Sequence, residues 1–191
     1  MNIDSHFRLN VGRLSLDLAA TVRRHASMPK DMLQPAGAAA RWLEAARLTE
    51  MCLLLSVTQE REMITLREAV RATVKAACAH TTLPEDAVAL LNCTAAEGLP
   101  TPYLDTKTGR VIISATNPFR SALSMIARDA IDLVAGPALH RVKVCAQDDC
   151  RTLFLDASRN ASRRWCSMDR CGSRAKAVTF RERNRETLIE H

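Results

Sequence analysis

The sequence predicts a mainly α protein with minor β: a helical N-terminal domain with one small hairpin over residues 1–138, then a compact cysteine-clamped module over 139–191. Three observations carry that expectation. Apolar residues recur at three- and four-residue steps through most of the first 138 positions, the period of one helix face. One stretch, TPYLDTKTGRVIISAT, breaks that period with two short runs about a polar, glycine-containing turn. Four of the seven cysteines then fall between Cys145 and Cys171, in a stretch that is also rich in arginine.

Taken in order, Leu14, Leu18 and Val22 are spaced as on one helix face and predict a short first helix within GRLSLDLAATVRRHAS. A connection from Pro29 to Pro35 leads to AGAAARWLEAARL, where Trp42, Leu43 and Ala46 share a side. Ser56 with Gln59 matches a capping box, and Ile64, Leu66, Val70, Val74 and Ala77 extend a helical stripe to about residue 80. Pro84 reads as a first-turn residue of the next helix, which Gly98 is expected to close with a left-handed backbone. After the hairpin, Asn117 and Pro118 open a helix with Phe119, Leu123, Ile126, Ala130 and Leu133 on its apolar face. Gly136 and Pro137 stop it, and ALHRVKV leads directly into the cysteines.

No apolar run reaches the length of a membrane-spanning helix. The first residues lack the basic start and apolar middle of a secretory signal, so a cytoplasmic location is expected. Thiols there stay reduced, and a cysteine cluster reads as a metal site before a disulfide framework. The scattered Cys52, Cys78 and Cys93 are expected to be small buried hydrophobes. Residues 1–140 hold 15 Lys and Arg against 14 Asp and Glu, whereas residues 141–191 hold 12 against 7, so the basic character belongs to the C-terminal quarter. Such asymmetry points to a polyanion as partner.

The spacing Cys145-x4-Cys150 and Cys166-x4-Cys171, with fifteen residues between the pairs, suits a structural zinc ion. Zinc takes four tetrahedral ligands, and each close pair lets two sulfurs converge from one tight turn. TLFLD alternates like a strand, ASRNAS resembles a turn centred on Asn160, and RRWC returns toward the second pair, which predicts a hairpin between the pairs. Residues after Gly172 look helical. The order of knuckle, hairpin and helix resembles a treble-clef finger. Trp165 is expected to pack beneath the metal with Phe154 and Leu155, because a module this small needs a large apolar residue and a metal to fold. No histidine is assigned a role, and Asp17 is expected to cap or face solvent.

The run CAQDDCRTLFLDASRNASRRWCSMDRCGSRAK resembles the zinc finger of the CGNR family, with GRLSLDLAATV and LREAVRA echoing the helical ABATE domain that precedes it in that family. The resemblance implies a stress-induced transcription regulator of bacteria. The chain departs from the family at its namesake tetrapeptide, which reads CGSR here, with Ser173 in place of asparagine. Serine still offers a hydroxyl for capping a helix or touching a phosphate.

Ten basic residues between positions 151 and 185 make this module the expected nucleic-acid contact. Arg174, Arg181 and Arg185 fall near one face of the last helix, with Lys176 beside them, and Arg159, Arg163 and Arg164 flank a turn from which Asn160 could reach an adenine. The expected function is DNA binding by the finger, with the helical domain sensing a small-molecule effector or forming a homodimer. The alternative is a zinc-stabilised interaction module whose arginines meet an acidic protein. No phosphate-cradling glycine loop, metalloprotease motif or serine elbow is present, so no enzymatic activity is expected.

Overall fold

The computed structural model describes residues 7–24, 29–49, 52–178 and 180–181. About half of the chain is helical, and the 11% in strands forms small hairpins. The elements run α1 (Leu14–Ala19), β1 (Val22–Arg24), β2 (Pro29–Asp31), α2 (Ala38–Ala45), α3 (Val57–Cys78), α4 (Glu85–Ala95), β3 (Thr101–Leu104), β4 (Val111–Ser114) and α5 (Pro118–Ala135). A 3-10 turn at Pro137–Arg141 then leads to β5 (Val142–Val144), β6 (Leu153–Leu155) and a π turn at Met168–Gly172. Among the described residues, no helix is long and apolar enough to cross a membrane.

Helices α3, α4 and α5 pack on one another, and α1 lies against α3 and α5. Their apolar faces bury Met63, Leu66, Val70 and Val74 on α3, Leu91 on α4, and Phe119, Leu123, Ile126, Ala130 and Leu133 on α5. The stripe expected on α3 is rotated slightly: Met63 and Arg67 are buried, while Ile64 and Ala77 are only half-buried. Trp42 and Leu43 of α2 complete this side of the core.

The expected caps form. Ser56 Oγ accepts from the Gln59 amide at 3.3 Å and Gln59 Oε1 accepts from the Ser56 amide at 2.9 Å, closing the capping box. Asn117 Oδ1 accepts from the Arg120 amide, with Pro118 at the first helical position. α1 has no cap of its own. Asp129 of α5 does that work, taking the Ser15 amide at 2.8 Å while pairing with Arg13.

Gly98 does not adopt the left-handed backbone expected of it; α4 ends at Ala96 in a right-handed conformation. Left-handed closures occur instead at Arg47 (φ 58°) after α2 and His80 (φ 52°) after α3. At both sites the next two amides bond back to the last turn, Arg47 to Glu44 and Leu48 to Leu43, His80 to Ala77 and Thr81 to Ala76.

Val22 belongs to a strand and not to the first helix. The β1–β2 hairpin pairs Val22 with Asp31 and Arg24 with Pro29, a ladder the Pro29–Pro35 connection concealed. It exists to deliver Asp31. Arg67, with its side chain 3% exposed, holds the Asp31 carboxylate in a two-armed ion pair at 2.6 and 2.8 Å and reaches Thr21 Oγ1 at 3.3 Å. Burial alone would raise the Asp31 carboxyl, but the Arg67 fork and the Leu33 amide outweigh it and hold the group below its ordinary range.

The β3–β4 hairpin has the expected place, pairing Thr101 with Ser114 through to Leu104 with Val111. Asp105 organises its turn by accepting from Lys107 and Thr108, and Gly109 supplies the positive φ. Tyr103, Leu104, Val111 and Ile113 remain exposed. The scattered cysteines depart from expectation too: Cys52 and Cys93 are exposed and Cys78 is half-buried. Cys52 lies in an irregular segment before α3, and Cys93 sits on the outer face of α4, where Leu91 alone is buried.

The N-terminal segment crosses the finger. The Leu155 amide donates to the Val11 carbonyl at 2.7 Å, and Gly12, at φ 105°, lies so close that an added Cβ would meet Leu155 Cβ at 2.8 Å. Gly12→Ala therefore combines a strained backbone with a collision and is expected to cost roughly 2–4 kcal/mol. Urea titration of the two proteins measures it; equal midpoints would show that the crossing is loosely held.

Candidate metal centre

The four clustered cysteines come from two turns. β5 and β6 pair Val142 with Leu155 and Val144 with Leu153, and the turn between them carries Cys145 and Cys150. The Cys145 amide donates to the Thr152 carbonyl at 2.9 Å, the Cys150 amide to Gln147 at 2.9 Å, and Arg151 takes a positive φ of 50° to finish the knuckle. The hairpin thus spans the first cysteine pair. It does not lie between the pairs as TLFLD and RRWC suggested.

The physical reason is Asp156. Its buried carboxylate accepts from the Ser158 amide and hydroxyl, the Arg163 amide and Lys143 Nζ, while the Ala161 and Ser162 amides bond back to Ser158, so residues 158–163 close a local turn and form no ladder. The Lys143 ion pair, then these hydrogen bonds, hold Asp156 well below the usual carboxylate range. Of the second cysteine pair, Cys171 lies on the π turn and Cys166 just before its cap, where Ser167 Oγ accepts from the Arg170 amide at 3.3 Å and the Cys171 amide donates to the Ser167 carbonyl. Residues 173–178 and 180–181 continue as helix.

All four sulfurs are buried and lie within 4.8 Å of one another. Cys150 Sγ is 3.6 Å from Cys166 Sγ, which is 3.7 Å from Cys171 Sγ. A tetrahedron with zinc–sulfur bonds of about 2.3 Å has edges of about 3.8 Å, so these two edges match that ion and the donor set as a whole is of its size. Thiols this close share charge badly. Bonds from Cys145 and Cys166 hold Cys150 far below its ordinary value, while Cys145 and Cys150 push Cys166 up. Burial, reinforced by the charges of Cys150 and Cys145, raises Cys171 to about 11. Four buried sulfurs this close repel one another once ionised, and a divalent cation among them offsets that repulsion.

Two arginines compensate the cluster from outside. Arg8 Nη1 donates to Cys150 Sγ at 2.8 Å, to Thr152 Oγ1 at 2.8 Å and to Cys166 Sγ at 3.4 Å. Arg174 Nη2 lies 3.7 Å from Cys171 Sγ while Nη1 pairs with Asp149 at 2.7 Å. Charged donors to the sulfurs disperse the negative charge that four thiolates and one divalent ion would leave. Nothing in the sequence pointed to Arg8, which reaches a cysteine 142 positions away.

The cationic residues expected to touch nucleic acid divide into two groups. Arg163 turns inward: its Nε donates to the Trp165 carbonyl at 2.8 Å, its Nη2 to the Cys166 carbonyl, and its guanidinium stacks 5.0 Å from the Phe154 ring centroid. Arg174 is tied to Asp149. Arg159, Asn160, Arg164, Lys176 and Arg181 are exposed, Arg164 lying over Trp165 at 5.4 Å. Arg185 lies outside the described residues. Trp165 is half-buried against the core and Phe154 is fully buried, as the need for apolar packing under the cysteines suggested. Ser173 Oγ donates to the Met168 carbonyl at 3.1 Å, so its hydroxyl closes the π turn.

Asp17 neither caps a helix nor faces open solvent. Its Oδ1 accepts the Val11 amide at 2.9 Å, and burial, joined by the Asp129 charge, lifts it to about 7 against the pull of that bond.

A helical domain carrying a buried four-cysteine finger, with its own N-terminal segment bonded to the finger, defines a class of modular finger proteins. The chain belongs to the ABATE family, whose model, described as "Putative stress-induced transcription regulator", matches residues 12–137. The CGNR zinc finger model follows at residues 141–184. No curated protein matches the chain.

Proposed function

We propose that this chain is a DNA-binding transcription regulator. Zinc held by Cys145, Cys150, Cys166 and Cys171 orders the finger, the finger meets DNA, and the helical domain answers to a small effector or to a second copy. The zinc is structural, since four sulfurs fill its coordination places and none is left for a reacting water. The reading accordingly includes no catalytic step.

One observation carries the DNA part. Of the finger's four described acids, Asp149 and Asp156 are paired with Arg174 and Lys143 and Asp148 and Asp169 are exposed, while Arg159, Arg164 and Lys176 have no hydrogen-bond or ion-pair partner for their charged groups among the described residues. Positive charge is left facing outward beside Asn160, at a turn held rigid by Asp156. Arginine forks on a fixed scaffold suit phosphate oxygens and base edges.

Fluorescence anisotropy of zinc-loaded protein with duplex DNA tests the reading. Affinity is expected to fall steeply with salt. Arg159→Ala with Arg164→Ala should weaken all sequences alike and flatten the salt slope by about 2. Binding that is absent, or indifferent to salt, would falsify it.

A further inference from the structure

Where the helical domain meets the finger there is a cavity of about 510 Å³. Its walls are the segment from Phe7 to Val11, Leu14 and Asp17 of α1, Ala45, Ala46 and Arg47 at the end of α2, and Cys166, Ser167, Asp169 and Arg170 of the finger. Three arginines, Arg8, Arg47 and Arg170, contribute to the lining.

Arg47 is the informative one. It holds the left-handed position closing α2, which glycine fills without strain and a long side chain does not. The strained position places Arg47 in the cavity wall, and its guanidinium has no hydrogen-bond or ion-pair partner among the described residues. Arg8 has a buried Nε without a hydrogen-bond partner. Positive charge is concentrated at this joint: after burial, the like charges of Arg8 and Arg170 are what lower the neighbouring Arg23. Opposing negative charge lies on the finger side, where Asp169 is exposed and the cysteine cluster engages Arg8 through Nη1; on the α1 side Asp17 is bonded to Val11 and burial favours its proton, so Arg47 is the guanidinium left for a ligand. Leu14, Ala45 and Ala46 supply an apolar wall.

We infer that this cavity binds a small organic anion, its carboxylate or phosphate head held by Arg47 with Arg8 and Arg170 and its apolar body against Leu14, Ala45 and Ala46. The inference rests on the effector reading above and gives it a place and a chemistry. Cys166 and Ser167 line the same cavity, so the ligand touches both the helical domain and the metal-bearing turn and couples them.

Calorimetric titration of the full-length zinc-loaded protein, without DNA, tests the site with three probes: benzoate, its neutral isostere benzamide, and inorganic phosphate. Saturable binding of benzoate but not benzamide supports a carboxylate head; saturable binding of phosphate alone supports a phosphate head. Arg47→Gly is the decisive variant because glycine suits the backbone there, so the fold is kept or strengthened while the charge is lost. It should weaken the bound anion roughly tenfold or more. Failure of both anions to bind, or binding unchanged by Arg47→Gly, overturns the proposal. Benzoate binding that leaves DNA affinity untouched upholds the site and removes only its effector role; loss of the DNA reading alone leaves the site standing.

Discussion

If the cysteines hold zinc as proposed, its removal with a chelator, or replacing Cys166 with serine, is expected to loosen the finger and the segment at Val11–Gly12 that crosses it. The free energy of binding structural zinc in isolated fingers is about 10–16 kcal/mol, comparable to the whole stability of an ordinary domain. The four sulfurs are part of one continuous apolar cluster with Phe7, Val11 and Leu16, so the consequence does not stop at residue 145. Without the ion, buried thiols that resist joint ionisation have no reason to stay within 4.8 Å, and Arg8 loses the charge it bonds. Hydrogen exchange should show amides of β5, β6 and Val11–Gly12 losing protection while α3 and α5 keep theirs. If the metal-free protein retains slow exchange at Leu155, whose amide bonds Val11, the metal is not what holds the two parts together.

Asp31→Ala should be the most damaging single change in the helical domain. Arg67 is 2% exposed, and its fork would be left with Thr21 and the exposed Glu68 in place of a two-armed carboxylate. Removing one partner of a buried pair costs about 3–5 kcal/mol, a fall in Tm of roughly 6–20 °C for a chain of this size. The double change Asp31→Ala with Arg67→Met should recover much of that, since it deletes the orphaned charge and keeps the volume. The pair also fixes the sign of one acid response. Asp31 sits below its unfolded value, so its stabilisation is present above about pH 4 and lost as pH falls through the lower folded value. Thermal melts from pH 6 to pH 2 should therefore fall less steeply for the double variant than for the wild type; parallel curves would show that Asp31 gains nothing from Arg67.

Much of the helical frame was legible because it depends on local rules. The capping box at Ser56, the Asn117–Pro118 entry and the periodic apolar residues of α5 each need only a few neighbouring positions. The cysteine spacing was legible for the same reason: two short turns announce their ligands. What stayed hidden was every feature set by partners distant in the chain. Val22 alternates with α1 residues as well in a helix as in a strand, and only the need to bring Asp31 to Arg67 decides for the strand. TLFLD reads as a strand from composition, but its pairing with Val142–Val144 follows from the knuckle and from Asp156, whose bonds are invisible to periodicity. Arg163 and Arg174 carry the same charge as Arg159 and Arg164, and sequence cannot tell which guanidinium turns toward the protein's own carbonyls and acids. Arg8 lies far outside any motif that ends in cysteine.

The bond from Arg8 to Cys150 joins residues 142 positions apart, and it bears on how the chain is born. During translation Arg8 emerges long before the sulfur it bonds, so that contact forms only after α3 and α5 have been made. A nascent chain arrested before Thr152 would lack the Cys166 sulfur and the Leu155 amide, so the segment from Arg8 to Gly12 would meet these finger partners only after the helices had been made.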